Sequence, residues 1–370
     1  MTTPSNEVAA DATPSRPAPR PSGRPGRRPP RRFKALIVVV SYVLAAALLI
    51  WYVPIGTADV TFGDVVRVLR FTVTGAAVPE DFQSTFTIVQ GLRLPRILVA
   101  AVAGASLSLA GVVMQAILRN PLVSPFTLGV SPAAAFGAAL VILTTGGAGN
   151  AVLVTAAAFV TATVASVLVL GLAHSKSSGQ ITATVLLLGI ALTQLFEAAT
   201  SALQFIADED TLSAIVRWTF GSVNDANWSD FSLIGVVLVA SLLVILPNAK
   251  HLNAIAFAGE DAARSLGANV TAIRFGLIGV SVLLASVVVS LCGVIGFVGL
   301  VGPHIARMII GADHRYLIPF SVVTGAILLA TADTVGRTII SPIVVPVGIV
   351  IAVVGAPLFI YLILSRRTGR

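Results

Sequence analysis

From about residue 35 to residue 364 the chain returns repeatedly to apolar runs of some twenty residues, broken by short polar or glycine-rich stretches. A helix of about 20 residues is what ~30 Å of hydrocarbon demands. In that medium every backbone N–H and C=O must find its partner inside the protein, which leaves only helices and closed barrels. A barrel would alternate polar and apolar residues in segments of about ten, whereas these runs are continuous. The pattern predicts an all-α polytopic membrane protein with ten spans, at about 35–53, 92–114, 125–144, 151–172, 181–206, 231–247, 271–292, 296–310, 316–336 and 344–364. Charged residues make up 11% of the chain, about half the ~25% of soluble domains.

Charge placement sets the expected orientation. Residues 1–34 carry eight Lys and Arg against Glu7 and Asp11, in a Pro- and Ser-rich context that predicts a solvated, disordered tail. Such a tail reads as a positive-inside anchor for the first span and not as a nucleic-acid arm. The membrane body is then 35–370. An even number of spans puts both termini on one side. With the tail inside, eighteen Lys and Arg fall inside and six outside, so both termini are expected in the cytoplasm and the body in a bacterial cytoplasmic membrane. Two outer segments are long enough for structure of their own: 54–91, with the amphipathic "FGDVVRVLRF", and 207–230, with two tryptophans suited to the interface.

Several chemistries lack their residues. A phosphate-cradling loop needs Gly-Lys before Ser or Thr, and Lys34, Lys176 and Lys250 follow Phe33, Ser175 and Ala249. This chain is therefore expected not to be an enzyme. One cysteine, Cys292, and four scattered histidines predict no metal or haem site of its own. Ion-coupled transport needs ionisable groups deep in the membrane, and only Glu197 and Asp333 are placed for that. Asp333 has Arg337 four residues later, which predicts a helical ion pair. An intramembrane enzyme would need a nucleophile–base or metal constellation that the scattered histidines do not offer. The chain reads as a transporter without an engine.

Between two spans lies "HLNAIAFAGEDAARSLGANVTAIR", His251–Arg274. Glu260 and Asp261 in a first turn and Arg264 in the last suit a helix dipole. Glu260 and Arg264 are spaced for a pair, and Gly267 suits a stop. The segment is expected to form short cytoplasmic helices at about 254–268, lying on the bilayer or docking a soluble partner.

Four blocks carry a family resemblance. "GLRLPRILVAAVAGASLSLAGVVMQAILRNPLVSPFTLGVSPAAAFGAAL", "AGEDAARSLGANV", "GVIGFVGLVGPHIARMIIGADHR" and "DTVGRTIISPIVVPVGIVIAVVGAPLFIYLIL" resemble, in that order, the FecCD permeases of ABC importers for iron–siderophores, haem and cobalamin. The resemblance implies a type II importer fold with ten helices per subunit. It also implies a second permease subunit, a cytoplasmic ATPase dimer and an external substrate-binding protein. It makes Gly259, Glu260, Asp261, Ala262, Arg264, Ser265, Leu266 and Gly267 the ATPase-coupling residues, and Arg93 and Arg337 the docking groups for the binding protein. It places the pathway along the two-fold between subunits, lined by the fifth and tenth spans, with a gate near Thr182. Gln115, Asn120 and Glu197 are further pathway candidates. The cargo implied first is a ferric siderophore, with haem and cobalamin as alternatives.

Overall fold

The computed structural model describes residues 31–56, 58–147, 150–174, 178–259, 264, 267 and 269–365. Among them the architecture is helical throughout. In chain order the helices are α1 (Arg31–Tyr52), α2 (Phe62–Thr74), α3 (Leu94–Ile117), α4 (Val130–Thr144), α5 (Ala151–His174), α6 (Ser178–Ile206), α7 (Glu209–Thr219), α8 (Trp228–Ile245), α9 (Ala249–Ala258), α10 (Val270–Cys292), α11 (Val298–Ile310), α12 (His314–Gly336) and α13 (Val347–Ser365). Seven helical stretches are long and apolar enough to cross a membrane, and three shorter apolar helices, Val130–Thr144, Val298–Ile310 and Val347–Tyr361, accompany them. The tail expected at 1–34 ends sooner than its composition suggests, because Arg31 to Lys34 already belong to α1.

The bundle is built around α3. Twenty of its 24 residues are buried, and it packs against α12, α10, α11 and α8. Hydrocarbon gives apolar helices no reason to leave lipid for one another, so close backbone approach must supply the attraction. Glycine permits it here at two crossings. A Cβ on Gly104 would collide with the carbonyl oxygen of Gly325, and one on Gly111 with that of Gly299. Thr324 seals the same seam by donating to Gly302 O at 3.1 Å. By contrast α1, α6 and α8 keep only 6%, 17% and 22% of their apolar windows buried. Their free faces are what a membrane or another subunit would cover.

Two ends are distinct. The upper end carries the expected amphipathic α2, whose capping box is complete: Thr61 N and Oγ1 donate to Asp64 at 2.9 and 2.7 Å and hold that carboxyl below its usual range. Also at this end is α7, capped by Asp208, which accepts from Thr211 N at 2.8 Å. Trp228 Nε1 ties the two upper segments together by donating to Gln90 O at 2.9 Å. A run from Glu80 enters α3 through a 3₁₀ turn, a short α turn and a π-helix, Thr87–Arg93. The lower end holds the α9 terminus and the start of α10 and α12.

Placing a methyl group at the Gly111 crossing should therefore cost roughly 1–3 kcal/mol. Gly111→Ala is expected to lower the melting temperature of the detergent-solubilised protein by several degrees. Gly235→Ala, where an added Cβ meets nothing within 4 Å, should leave it level or slightly raised. Equal melting temperatures for the two variants would contradict this packing.

Candidate functional site

At the upper end three arginines surround one carboxylate. Arg96 grips Asp333 with Nε and Nη2, at 2.8 to 3.1 Å, and donates from Nη1 to Asn224 Oδ1 at 2.6 Å. The side chains are 12% and 3% exposed. This overturns the expected pairing of Asp333 with Arg337. At the end of α12 the Arg337 side chain turns away instead and donates to Tyr52 O at 3.0 Å. Burial lowers its guanidinium to about 10, with Asp333 opposing, so it remains a cation at neutral pH.

Arg93 does parallel work, donating to Val53 O, Pro54 O and Ala58 O at 3.0, 2.7 and 2.6 Å. It thereby fastens the chain that follows α1 over the head of α3. Both Arg93 and Arg337 are only 6% exposed. Their positions near span ends are as expected, but Arg93 is held by three carbonyls of its own chain and Arg337 by the Tyr52 carbonyl, with the Arg337 Nε buried and without a hydrogen-bond partner among the described residues. A carboxylate from another protein would reach them only if they turned outward. Nothing in the sequence singles out Arg96. Its pairing joins residues 237 apart, which no local spacing reveals.

At the lower end, α9 takes in Ala254–Ala258 of the expected coupling helices and stops at Gly259, whose φ of 86° lies in glycine territory. Gly267 is also left-handed, at φ 80°, and its amide bonds Arg264 O at 2.9 Å. Arg264 is exposed and helical. Glu260, Asp261, Ala262, Ser265 and Leu266 lie outside the described residues. The helices expected at about 254–268 lie in part outside the described residues; α9 begins ahead of them at Ala249, because Leu246–Asn248 form a 3₁₀ turn that carries α8 straight into it.

The pathway candidates separate. Gln115 is 4% exposed and bridges α3 to α11: Nε2 donates to Leu300 O at 3.5 Å, and Oε1 accepts from Arg307 Nη2 at 3.0 Å. Asn120 folds its Oδ1 onto Leu122 N at 3.0 Å, shaping a turn. Thr182 reaches Leu118 O at 3.4 Å, so it touches the end of α3. Glu197 is exposed on α6, far from these three. Asn253 organises a lower cluster that the sequence did not announce. It donates to Asp313 Oδ1 at 2.8 Å and accepts from the backbone N–H of His314 at 2.9 Å. Among the described residues no three His, Cys, Asp or Glu stand close enough to hold a metal.

Residues 43–365 match the model of the FecCD transport family. The chain belongs to the FecCD transport family. It is 39% identical over 291 residues to a cobalamin import system permease of Halobacterium salinarum, covering 78% of this chain and 76% of that one. It is 37% identical over 282 residues to a hemin transport system permease of Yersinia pestis, covering 75% and 84%. A solved structure described as a metal-chelate type ABC transporter in an inward-facing conformation aligns with a TM-score of 0.77 at 30% identity. That alignment covers 90% of this chain and 99% of the other. This FecCD protein is a multi-pass membrane protein and an ABC importer permease, a transport component.

Removing one member of a buried ion pair leaves the other charge stranded, at a cost of about 3–5 kcal/mol. Asp333→Ala is expected to lower the melting temperature of the FecCD permease sharply, and Arg96→Met plus Asp333→Leu to recover most of the loss. Glu197→Gln should be neutral. A mild Asp333→Ala phenotype with no recovery in the double variant would contradict the pairing.

Proposed function

We propose that this chain is one permease subunit of a type II ABC importer with ten spans. It sits in a bacterial cytoplasmic membrane with both termini inside, and passes a ferric siderophore delivered by an external binding protein. The three shorter apolar helices added to the seven long ones make ten, and the excess of Lys and Arg on the tail side supports the orientation. The observation that carries the reading is a conjunction. An importer family matches the chain from 43 to 365, yet none of its three lysines follows a glycine, so a separate ATPase dimer, with its ATP and Mg, supplies the energy.

The exposed apolar faces support a second permease subunit. On α13, Val353, Val354, Ile360 and Tyr361 are each more than half exposed, and α6 is barely buried. These are the fifth and tenth apolar helices, those expected to line the pathway at the two-fold, with lipid around the rest. Thr182 at the foot of α6, against the end of α3, suits a gate. Docking of the binding protein through Arg93 and Arg337 requires each to exchange its carbonyl partners for a carboxylate. The cargo follows the family's metal chelates. Haem or cobalamin is the second reading, favoured by the hemin and cobalamin permeases among the relatives.

Gly259 to Gly267 is the segment we assign to ATPase coupling. Glu260→Arg combined with Arg264→Glu should leave expression and melting unchanged while cutting cargo-stimulated ATP hydrolysis by the assembled transporter at least about tenfold, as loss of ~1.4 kcal/mol of coupling would. Normal stimulated turnover in that variant would sink the assignment.

A further inference from the structure

Helix α2 is too short to cross a membrane, and both its ends are fixed. Its 13 residues reach about 20 Å, against the ~30 Å of hydrocarbon. The Thr61–Asp64 capping box opens it, and Gly75, at φ 66°, closes it by donating its N–H to Phe71 O at 2.9 Å. One side is committed to the bundle. Val65 and Val68 are buried in a cluster with Val53, Phe82 and Ile97, against which Leu49 and Tyr52 of α1 pack. That cluster fixes α2 at the level of the last turn of α1.

A second apolar side is left uncovered. Phe62, Val66, Leu69 and Val73 are between 40% and 84% exposed. Their spacing of four, three and four residues puts them in one stripe along the helix. The helical period turns that stripe away from Val65 and Val68, and leaves Arg67, Arg70 and Thr74 on a third side. Arg67 stacks over the Phe82 ring at 4.8 Å, Arg70 and Thr74 are exposed, and Asp64 is held in the N-cap. One side for the bundle, one apolar and one polar and basic is the make-up of a helix that lies in the plane of a membrane interface.

The surroundings of the stripe indicate what covers it. The span it leans on, α1, is the least buried of the long apolar helices, so lipid surrounds most of it, and α1 ends beside the exposed Trp51. On its other flank, Thr72 of α2 donates to Gln90 Oε1 at 3.4 Å, and Trp228 Nε1 donates to Gln90 O at 2.9 Å. Helix α2 thus shares its level with two tryptophans that are both exposed and both at span ends. Tryptophan concentrates where hydrocarbon meets headgroups. A soluble partner would leave four large apolar side chains in water whenever it was absent, whereas lipid is always present. The arginines on the neighbouring side suit the phosphates of that layer.

We propose that α2 is an interfacial anchor, whose stripe of Phe62, Val66, Leu69 and Val73 lies in the headgroup–acyl boundary of the leaflet at the upper end. The anchor has a consequence for the polar cluster there. Val53, Pro54 and Ala58, whose carbonyls hold Arg93, stand just ahead of α2, so lipid fixes the depth of the segment that closes over the head of α3. The proposal stands apart from the transport reading, since it requires neither an ATPase nor a cargo and holds for either orientation of the chain.

The test is spin-label accessibility in the full chain, reconstituted into vesicles of phosphatidylethanolamine and phosphatidylglycerol. Val66→Cys, Val73→Cys and Thr74→Cys each change an exposed position. The single natural cysteine, Cys292, is buried and stays in place, with the natural chain as the labelling control. For each label, collisions with oxygen, which dissolves among acyl chains, are compared with collisions with a water-soluble nickel chelate. The oxygen-to-nickel ratio should be at least about threefold higher at positions 66 and 73 than at the adjacent position 74, as burial of one side in the acyl boundary requires. Positions 66 and 73 are read independently, so loss of one variant to misfolding leaves the other. A ratio at both no higher than at position 74 would overturn the proposal by putting the stripe in water. Exclusion of both reagents from positions 66 and 73 would overturn it equally, since protein, such as a second copy of the chain, would then cover the stripe.

Discussion

The backbone contact between α3 and its neighbours is the interaction on which everything else in this permease rests. With 20 of its 24 residues buried, α3 touches lipid almost nowhere, although its composition would suit lipid well. What keeps it inside is close approach, at Gly104 against Gly325 and at Gly111 against Gly299. Helices that meet this closely gain dispersion contacts along their length, and the glycine positions fix their register. Arg93 and Arg96 at its upper end and Gln115 and Arg119 at its lower end are then held at set distances from α11 and α12. Both polar clusters thus hang on one helix.

That arrangement gives the two ends different chemistry. The upper end buries three arginines that bond within the chain, through Asp333 and the carbonyls of residues 52 to 58. Pairing lowers the cost of burying ions, although the gain over apolar packing is small. The lower end holds Arg307 through the Gln115 amide, beside glycines at 259 and 267 with left-handed backbones.

Much of this was legible in the residues, and the part that was not has a common cause. The apolar runs, the amphipathic α2 and the left-handed stop at Gly267 are local, and hydropathy, helical period and glycine chemistry reveal them. Family membership was equally legible, since the four long motifs stand in order within the 43–365 match. The Asp333–Arg337 spacing misled because i,i+4 proximity is only one offer of a partner. Arg96, bidentate across the bundle, outbid it. Arg93 and Arg337 were placed correctly along the chain, but whether a guanidinium faces outward or into a loop is decided by carbonyls that spacing does not show. The Asn253 cluster, which joins α9 to the start of α12, is long-range in the same way.

On the function proposed above, this chain moves its cargo with energy from a separate ATPase. The most direct measurement of this is uptake of a labelled ferric siderophore into proteoliposomes that contain this permease and its cognate ATPase, with the loaded binding protein added outside. Uptake should require ATP within reach of the ATPase, vanish when the ATPase is catalytically dead, and be indifferent to a protonophore. Uptake that persists with the dead ATPase and collapses with the proton gradient would contradict the account.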